Sequence, residues 1–270
     1  MAVTFVVVPQ WQGSASSRAM RLVDGADAIR GDLPAASTRS VAVPLEAGDA
    51  EGSGVNRLSS IAMVRDRLIA ELALIDGPAI TIGGDCSVEL GAIPRVRDDE
   101  AAIVWFDAHP DLNTPESSPS HAFTGMILRT LLGDGPAALV PAEPFASERV
   151  VLAGVRSVDP GEDAYIAERG IRMIAADEVG PDTVIAAVEA TGASTVYVHI
   201  DLDVLDPADI AGVGDPQPFG VRASTLVETI RALVARFPLA GAGITEFAPA
   251  SPDEAVEDMP TILRLIGALT

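Results

Sequence analysis

The sequence contains no lysine, and all 18 of its basic residues are arginine. Without lysine there can be no Schiff-base amine, no lysine general base and no G-x-x-x-x-G-K-[ST] phosphate loop. The composition therefore excludes enzymes that form an imine with a lysine side chain and P-loop nucleotide hydrolases.

Cysteine is almost absent as well. Cys86 is the sole cysteine, so neither an intramolecular disulfide nor a zinc site with several thiolates can form. The N-terminal segment 1–10 has no basic region ahead of its short apolar run, which differs from a secretory signal. We therefore expect a cytoplasmic protein.

Positive charge is scarce, because 18 basic residues face 39 acidic ones and the formal net charge is -21. Such a balance argues against nucleic acid and anionic membranes as partners and favours a small cationic substrate, although acidity also serves solubility. With 270 residues, 48% of them hydrophobic, the chain has enough apolar material for a buried core. No repeat, low-complexity tract or linker interrupts it, so we expect one domain over residues 1–270.

Short apolar runs alternate along the chain with segments of helical periodicity. Continuous apolar strands are typical of parallel sheets covered on both faces, so the pattern predicts an α/β fold, a three-layer αβα arrangement with a central, mainly parallel sheet. The predicted strands are 3–8, 79–82, 102–107, 150–154, 171–174, 195–201 and 239–245, and the longer predicted helices are 14–29, 55–75, 123–132, 181–191, 223–237 and 252–269.

Two acid-rich segments follow apolar strands, V-W-F-D-A-H-P-D-L-N-T at 104–114 and V-Y-V-H-I-D-L-D-V-L-D-P at 196–207. Alternate residues of a strand share a face, so the polar side chains of each segment are aimed at one point. Carboxylates this close repel one another unless a cation lies between them. Acids that merely cap helices are the alternative, but two pairs with an in-register histidine favour a metal site. The candidate ligands are Asp107, His109, Asp111, Asp201 and Asp203.

The motifs D-A-H-x-D and D-x-D-x-x-D-P, with Gly83-Gly84-Asp85 and Glu246-Phe247-Ala248-Pro249, resemble those of the arginase and agmatinase family of ureohydrolases. The resemblance covers nearly the whole chain. It implies an arginase/deacetylase-like fold, two Mn²⁺ ions and a homo-oligomer, commonly a trimer or hexamer.

Matched residue by residue, the resemblance makes the five candidates above metal ligands and gives Glu246 the role of holding a guanidinium group. Asp111 would also pass a proton to the leaving amine. Asn113 and Ser120 match positions that contact an amino-acid carboxylate, and Asp159 and Glu162 match positions near its amino group, which favours L-arginine over agmatine. Asn113 and Asp159 are equally typical of loops and turns, and Glu246 of an ordinary strand end.

The chain departs from the family pattern at two histidines. Cys86 replaces a histidine that binds one manganese ion, and Thr124 replaces a histidine that transfers protons, although His121 lies three residues earlier and is a candidate for that role. Thiolate is a poor ligand for Mn²⁺, so we expect one impaired metal site if Cys86 is a ligand, the alternative being an inert buried thiol. His199 shares a strand face with Asp201 but lies deeper in the sheet, and we interpret it as structural.

The sequence thus predicts a manganese-dependent ureohydrolase that releases urea from a guanidino compound, with L-arginine as the first choice. An agmatinase or guanidinobutyrase is the nearest alternative. A pseudoenzyme with an impaired metal site is a second alternative, because two histidines of the family pattern are missing. A deacylase on the related deacetylase fold is disfavoured, because Glu246 suits a cation.

Overall fold

The computed structural model describes residues 3–96 and 100–270, and a parallel sheet lies at its centre. Each neighbouring pair of strands in this sheet is parallel. The strands of the described residues are β1 (Thr4–Val8), β2 (Thr38–Ser40), β3 (Ala79–Gly83), β4 (Ala101–Phe106), β5 (Val150–Ala153), β6 (Arg172–Ile174), β7 (Thr195–Asp201) and β8 (Leu239–Thr245). Their order is β2-β1-β3-β8-β7-β4-β5-β6.

Helices cover both faces of the sheet, which confirms the predicted three-layer αβα fold. They are α1 (Arg21–Asp32), α2 (Leu58–Leu72), α3 (Glu89–Ala92), α4 (Ile127–Leu131), α5 (Pro160–Arg169), α6 (Pro181–Glu189), α7 (Ala223–Arg236) and α8 (Pro252–Leu269). One hydrophobic core joins the sheet to α1, α6, α7 and α8, and a second joins it to α2, α3, α4 and α5. Among the described residues, no helix combines the length and the apolar character needed to cross a membrane.

Strand β4 shows why the central strands are unbroken apolar runs. All six of its residues are buried. Val104 and Phe106 enter one core while Ile103 and Trp105 enter the other. Each large side chain buried in this way stabilises the fold by about 1.5–3 kcal/mol. A polar residue on either face would therefore be costly, and polarity begins only where the strand ends at Asp107.

The carboxyl ends of β3, β8, β7, β4 and β5 are neighbours, so the loops that follow them meet at one edge of the sheet. Within the sheet Trp105 pairs with His199, and His199 pairs with Gly243 on its other side. This register fixes which side chains from the three strands lie together just below the edge.

The structure corrects two local predictions. The first helix begins at Arg21 and not near residue 14. Gly13 donates its N–H to Asp85 at 2.8 Å, and a Cβ there would lie 1.8 Å from Ser87 Oγ, so the chain is held as a loop before the helix. Strand β2 was not predicted, because it is a short polar edge strand without an apolar pattern.

Candidate metal centre

A cavity of about 500 Å³ opens at the carboxyl edge of the sheet. Asp107 is fully buried beneath its wall. The structure thus brings most of the predicted site residues together. Those that line the cavity are Cys86, His109, Asp111, Asn113, Ser120, Asp159, Glu162, Asp201, Asp203 and Glu246.

One group of ligand atoms is formed by Asp107, His109 and Asp203. The Nδ1 atom of His109 lies 3.0 Å from Asp203 Oδ2 and 3.5 Å from Asp107 Oδ1. The loop holds these carboxylates through its own backbone, because the N–H of Ala108 donates to Asp203 at 3.1 Å and the N–H of His109 donates to Asp107 at 2.6 Å. The group offers one imidazole and two carboxylates, a donor set that suits Mn²⁺.

A second group consists of Cys86, Asp107, His199 and Asp201, all four of which are buried. The Cys86 thiol donates to Asp201 Oδ2 at 3.1 Å and lies 3.1 Å from the Thr245 hydroxyl. His199 Nε2 lies 3.9 Å from Cys86 Sγ and 3.8 Å from Asp107 Oδ2. The structure therefore adds an imidazole that the sequence interpretation assigned to a structural role.

Asp107 connects the two groups. Its Oδ1 atom faces His109 and its Oδ2 atom faces His199. Trp105 donates its indole N–H to Oδ2 at 3.0 Å, which fixes the orientation of the carboxylate. Burial alone would raise the pKa of Asp107, but the hydrogen bonds from the two histidines outweigh it and hold that pKa below its usual value. Asp107 is accordingly the carboxylate best placed to belong to two metal positions.

The remaining acids crowd one another. Burial, followed by repulsion from Asp203 and Asp107, raises the pKa of Asp201 well above its usual value. Burial and the Asp107 charge do the same to the pKa of Asp111. Cations placed between these carboxylates would favour their charged forms, so the donor set fits divalent metal ions.

Asp111 is separate from both groups of ligand atoms, although it lines the same cavity. Its backbone has φ 53°, in the left-handed region that is unfavourable for residues other than glycine. Its carbonyl accepts a hydrogen bond from the Arg129 N–H at 3.1 Å, which anchors this turn to α4. Strained backbone of this kind is common at functional sites.

Glu246 leaves the end of β8 with a similarly unusual backbone, at φ 64°. Its N–H donates to the Gly84 carbonyl at 2.8 Å, and its Oε1 atom accepts from the Cys86 N–H at 3.3 Å. Burial, with Asp85 and Asp203 close by, raises the pKa of Glu246 well above its usual value. A cationic ligand in the cavity would relieve this charge crowding.

Three of the four residues predicted to bind the amino-acid end of a substrate form a connected set. Asn113 donates from Nδ2 to Asp159 Oδ2 at 2.9 Å. Glu162 accepts from the N–H of Asp159 at 2.9 Å and from the N–H of Leu112 at 2.8 Å. Glu162 therefore holds the Asp111 loop against the start of α5 while facing the cavity. The Ser120 hydroxyl accepts from the Ala122 N–H at 3.2 Å.

Thr124 and His121, the two residues related to the missing proton-transferring histidine, differ in position. Thr124, which stands where the family pattern has a histidine, lines the cavity. His121 is exposed, adopts φ 55° and donates its N–H to the Ser118 hydroxyl, and its side chain is outside the cavity lining. A shift of three residues on this loop therefore does not return the imidazole to the cavity.

Two residues that the sequence interpretation missed support the site. Glu89, fully buried, binds His199 Nδ1 at 2.8 Å and also accepts a hydrogen bond from the Tyr197 hydroxyl. Arg156 donates to backbone carbonyls of the loop after β7, including those of Asp203 at 2.6 Å and Gln217 at 2.9 Å. The sequence offered one sign of Glu89, because a glutamate is unusual in the largely apolar stretch that follows Cys86.

The parallel αβα fold with an acid-rich cavity at its carboxyl edge defines an α/β protein whose clustered side chains could hold a metal ion. Its family is shown by comparison with known proteins. Residues 15–260 match the model of the Arginase family, and the chain belongs to that family.

The relatives agree with this assignment. The chain is 34% identical over 190 residues to an arginase from Entamoeba histolytica. The alignment covers 66% of this chain and 64% of that arginase, so the chain spans less than two thirds of the length of this relative. The solved structure of Entamoeba histolytica arginase in complex with L-ornithine superposes with a TM-score of 0.86 at 27% identity and covers 99% of this chain and 97% of that chain. The agmatine ureohydrolase of Thermoplasma volcanium shares the fold, with a TM-score of 0.72 at 22% identity over 99% of this chain and 89% of that chain.

Proposed function

We propose that the chain is a metal-dependent amidinohydrolase that releases urea from a guanidino substrate, with L-arginine as the first candidate. The observation that carries the proposal is that Glu246 lines one cavity together with members of both groups of metal-ligand atoms. These members are Cys86, His109, Asp201 and Asp203. A carboxylate can accept two parallel N–H bonds from a guanidinium plane. The related arginase was solved with L-ornithine, an α-amino acid, which supports L-arginine as the first candidate among guanidino compounds.

Bound divalent ions would neutralise the clustered carboxylates and supply hydroxide at neutral pH by lowering the pKa of water. We propose Mn²⁺ for the group formed by Asp107, His109 and Asp203, whose oxygen and imidazole donors suit this ion. In the reaction, water adds to the guanidinium carbon, the bond from that carbon to the substituted nitrogen breaks, and a proton goes to the departing amine.

The residues of this chain then have distinct tasks. Glu246 orients the guanidinium group, so the carbon is held next to the attacking oxygen. Asp111 faces the same cavity and carries the proton to the departing amine. His121 receives no part in this mechanism, because its side chain is outside the cavity lining.

The connected residues Asn113, Asp159 and Glu162 determine the choice among guanidino compounds. Their amide and carboxylate groups line the cavity and match the two ends of an α-amino acid. Agmatine is the second candidate, because an agmatine ureohydrolase shares the fold. Agmatine lacks the carboxylate that Asn113 would contact, so discrimination between the two substrates tests this region directly.

The experiment is urea release from a panel of L-arginine, agmatine and 4-guanidinobutyrate by protein loaded with defined amounts of Mn²⁺. We expect L-arginine to have the highest kcat/KM. A preference for agmatine would move the assignment to the second candidate. Absence of urea from every compound, with metal bound, would support a pseudoenzyme and overturn the proposed activity.

A further inference from the structure

Four buried side chains from three strands of the sheet converge below the cavity, two of the strands being neighbours and the third separated from them by β8. Cys86 follows β3, Asp107 follows β4, and His199 and Asp201 lie on β7. One ligand atom from each lies within 4.8 Å of the ligand atoms of the other three. The group contains one sulfur, one imidazole nitrogen and two carboxylate oxygens, a different chemistry from the group around His109.

The separations between these ligand atoms are close to those of a tetrahedral site. With bonds of about 2.3 Å to sulfur and about 2.0–2.1 Å to nitrogen and oxygen, neighbouring ligand atoms of a tetrahedral zinc ion lie about 3.3–3.7 Å apart. Sγ of Cys86 lies 3.1 Å from Asp201 Oδ2 and 3.9 Å from His199 Nε2. His199 Nε2 lies 3.8 Å from Asp107 Oδ2. Small side-chain movements would bring all four atoms to bonding distance of one ion.

His199 is held in the orientation of a metal ligand. Its Nδ1 atom lies 2.8 Å from Glu89 Oε1, which can accept the Nδ1 proton, and its Nε2 atom faces Cys86 and Asp107. A metal ion at this point would take the place of the Nε2 proton. A histidine that donates one ring N–H to a carboxylate while the other nitrogen binds metal is a recurrent arrangement in metalloproteins. Trp105 stacks on the ring with centroids 3.6 Å apart and so prevents it from turning.

Strand β8 leaves space for Glu89, the carboxylate that contacts His199. Gly243 pairs with His199 in the sheet. A Cβ at position 243 would lie 1.8 Å from Glu89 Oε1, so only glycine permits Glu89 to reach Nδ1. Glu89, His199 and Gly243 therefore pack as one unit. A histidine that only filled space would require neither the buried glutamate nor the glycine.

We propose that Cys86 and His199, with Asp107 and Asp201, bind one thiophilic divalent ion of the Zn²⁺ or Co²⁺ class, so that the two metal positions of the cavity prefer different metals. Thiolate and imidazole select such ions, whereas Mn²⁺ suits harder oxygen donors. This inference rests on the proposed metal-dependent function. It replaces both the impaired site expected from Cys86 and the structural role first given to His199.

X-ray absorption at the zinc edge, on the unmodified protein loaded with one equivalent of Zn²⁺, reads the ligands directly. We expect one sulfur at about 2.3 Å and at least one imidazole nitrogen at about 2.0–2.1 Å. With Co²⁺, the same site should give an intense sulfur-to-metal absorption in the near ultraviolet, and Cys86→Ser should remove it. A zinc ion surrounded only by oxygen and nitrogen would overturn the proposal.

Matched variants distinguish the contribution of His199 to metal binding from that of His109. His199→Gln should lower the affinity of the sulfur-containing site for Zn²⁺ by more than about 100-fold, whereas His109→Gln should leave its sulfur-to-cobalt absorption in place. Glu89→Gln should weaken the affinity by about 10–100-fold, as carboxylates behind metal-binding histidines do. Equal Zn²⁺ affinity in the His199→Gln and unmodified proteins, both folded by circular dichroism, would contradict ligation by His199.

These readouts are independent of turnover. If His199→Gln does not fold, the ligand count in the unmodified protein still decides the question. A sulfur-bound zinc ion in a protein that also holds Mn²⁺ but releases no urea from any of the guanidino compounds would overturn the proposed function and keep this site. Urea release by a protein whose metals contact only oxygen and nitrogen would overturn this site and keep the proposed function.

Discussion

Asp107 is the residue that the two proposed metal positions share. Its two carboxylate oxygens face different ligand groups. We predict that Asp107→Asn lowers the affinity of both positions by more than about 100-fold, because loss of a supporting partner alone costs about 10–100-fold. Equilibrium dialysis with metal analysis would measure this.

Asp203→Asn is the matched control for Asp107, since Asp203 belongs to the His109 group only. One tightly bound ion should remain in that variant. Two ions retained by Asp107→Asn would show that the ligand assignment is wrong.

Glu246 contributes charge without belonging to either ligand group. We predict that Glu246→Gln, which keeps the shape, lowers kcat/KM for L-arginine by about 100-fold, because two charge-assisted hydrogen bonds are lost. Steady-state urea release measures the effect, and metal content should match that of the unmodified protein. Unchanged kinetics would remove Glu246 from substrate binding.

At the scale of elements, Arg156 joins the loop after β5 to the loop after β7. Its guanidinium donates to carbonyls of Gly154, Val204 and Pro218 as well as to those of Asp203 and Gln217. We predict that Arg156→Ala lowers the free energy of unfolding by about 2–3 kcal/mol, because these carbonyls lose charged donors.

Urea unfolding followed by circular dichroism would measure the effect of Arg156→Ala. Arg30→Ala is the control, since Arg30 forms an exposed ion pair with Asp27 that should contribute at most about 1 kcal/mol. Equal losses of unfolding free energy in the two variants would mean that Arg156 does not fix the loop after β7.

The elements also show what the sequence could predict. β7 and β8 have the predicted limits, because their apolar runs end abruptly at polar residues. The polar strand β2 and the late start of α1 depend on tertiary contacts, which no local pattern records. In the site, alternation placed His199 on the Asp201 face, but its proximity to Cys86 depends on how β3, β8 and β7 are ordered.

For the whole molecule, the net charge of -21 should accelerate the arrival of a cation at the cavity. We predict that kcat/KM falls as ionic strength rises from about 0.01 to 0.15 M, since the Debye length shortens from about 30 to 8 Å. Agmatine, with two positive charges, should show a steeper dependence than L-arginine. Urea release in a series of NaCl concentrations tests this, and an increase with salt would contradict steering by the acidic surface.

Trp105 is fully buried and contacts two members of the second ligand group. It donates a hydrogen bond to Asp107 and stacks on the ring of His199. It is one of two tryptophans, the other being the partly buried Trp11. In a Trp11→Phe variant, all indole fluorescence would come from a ring that touches two proposed ligands. Paramagnetic Co²⁺ should quench this emission while diamagnetic Zn²⁺ quenches it far less, so a simple fluorescence titration would follow metal loading without label or substrate.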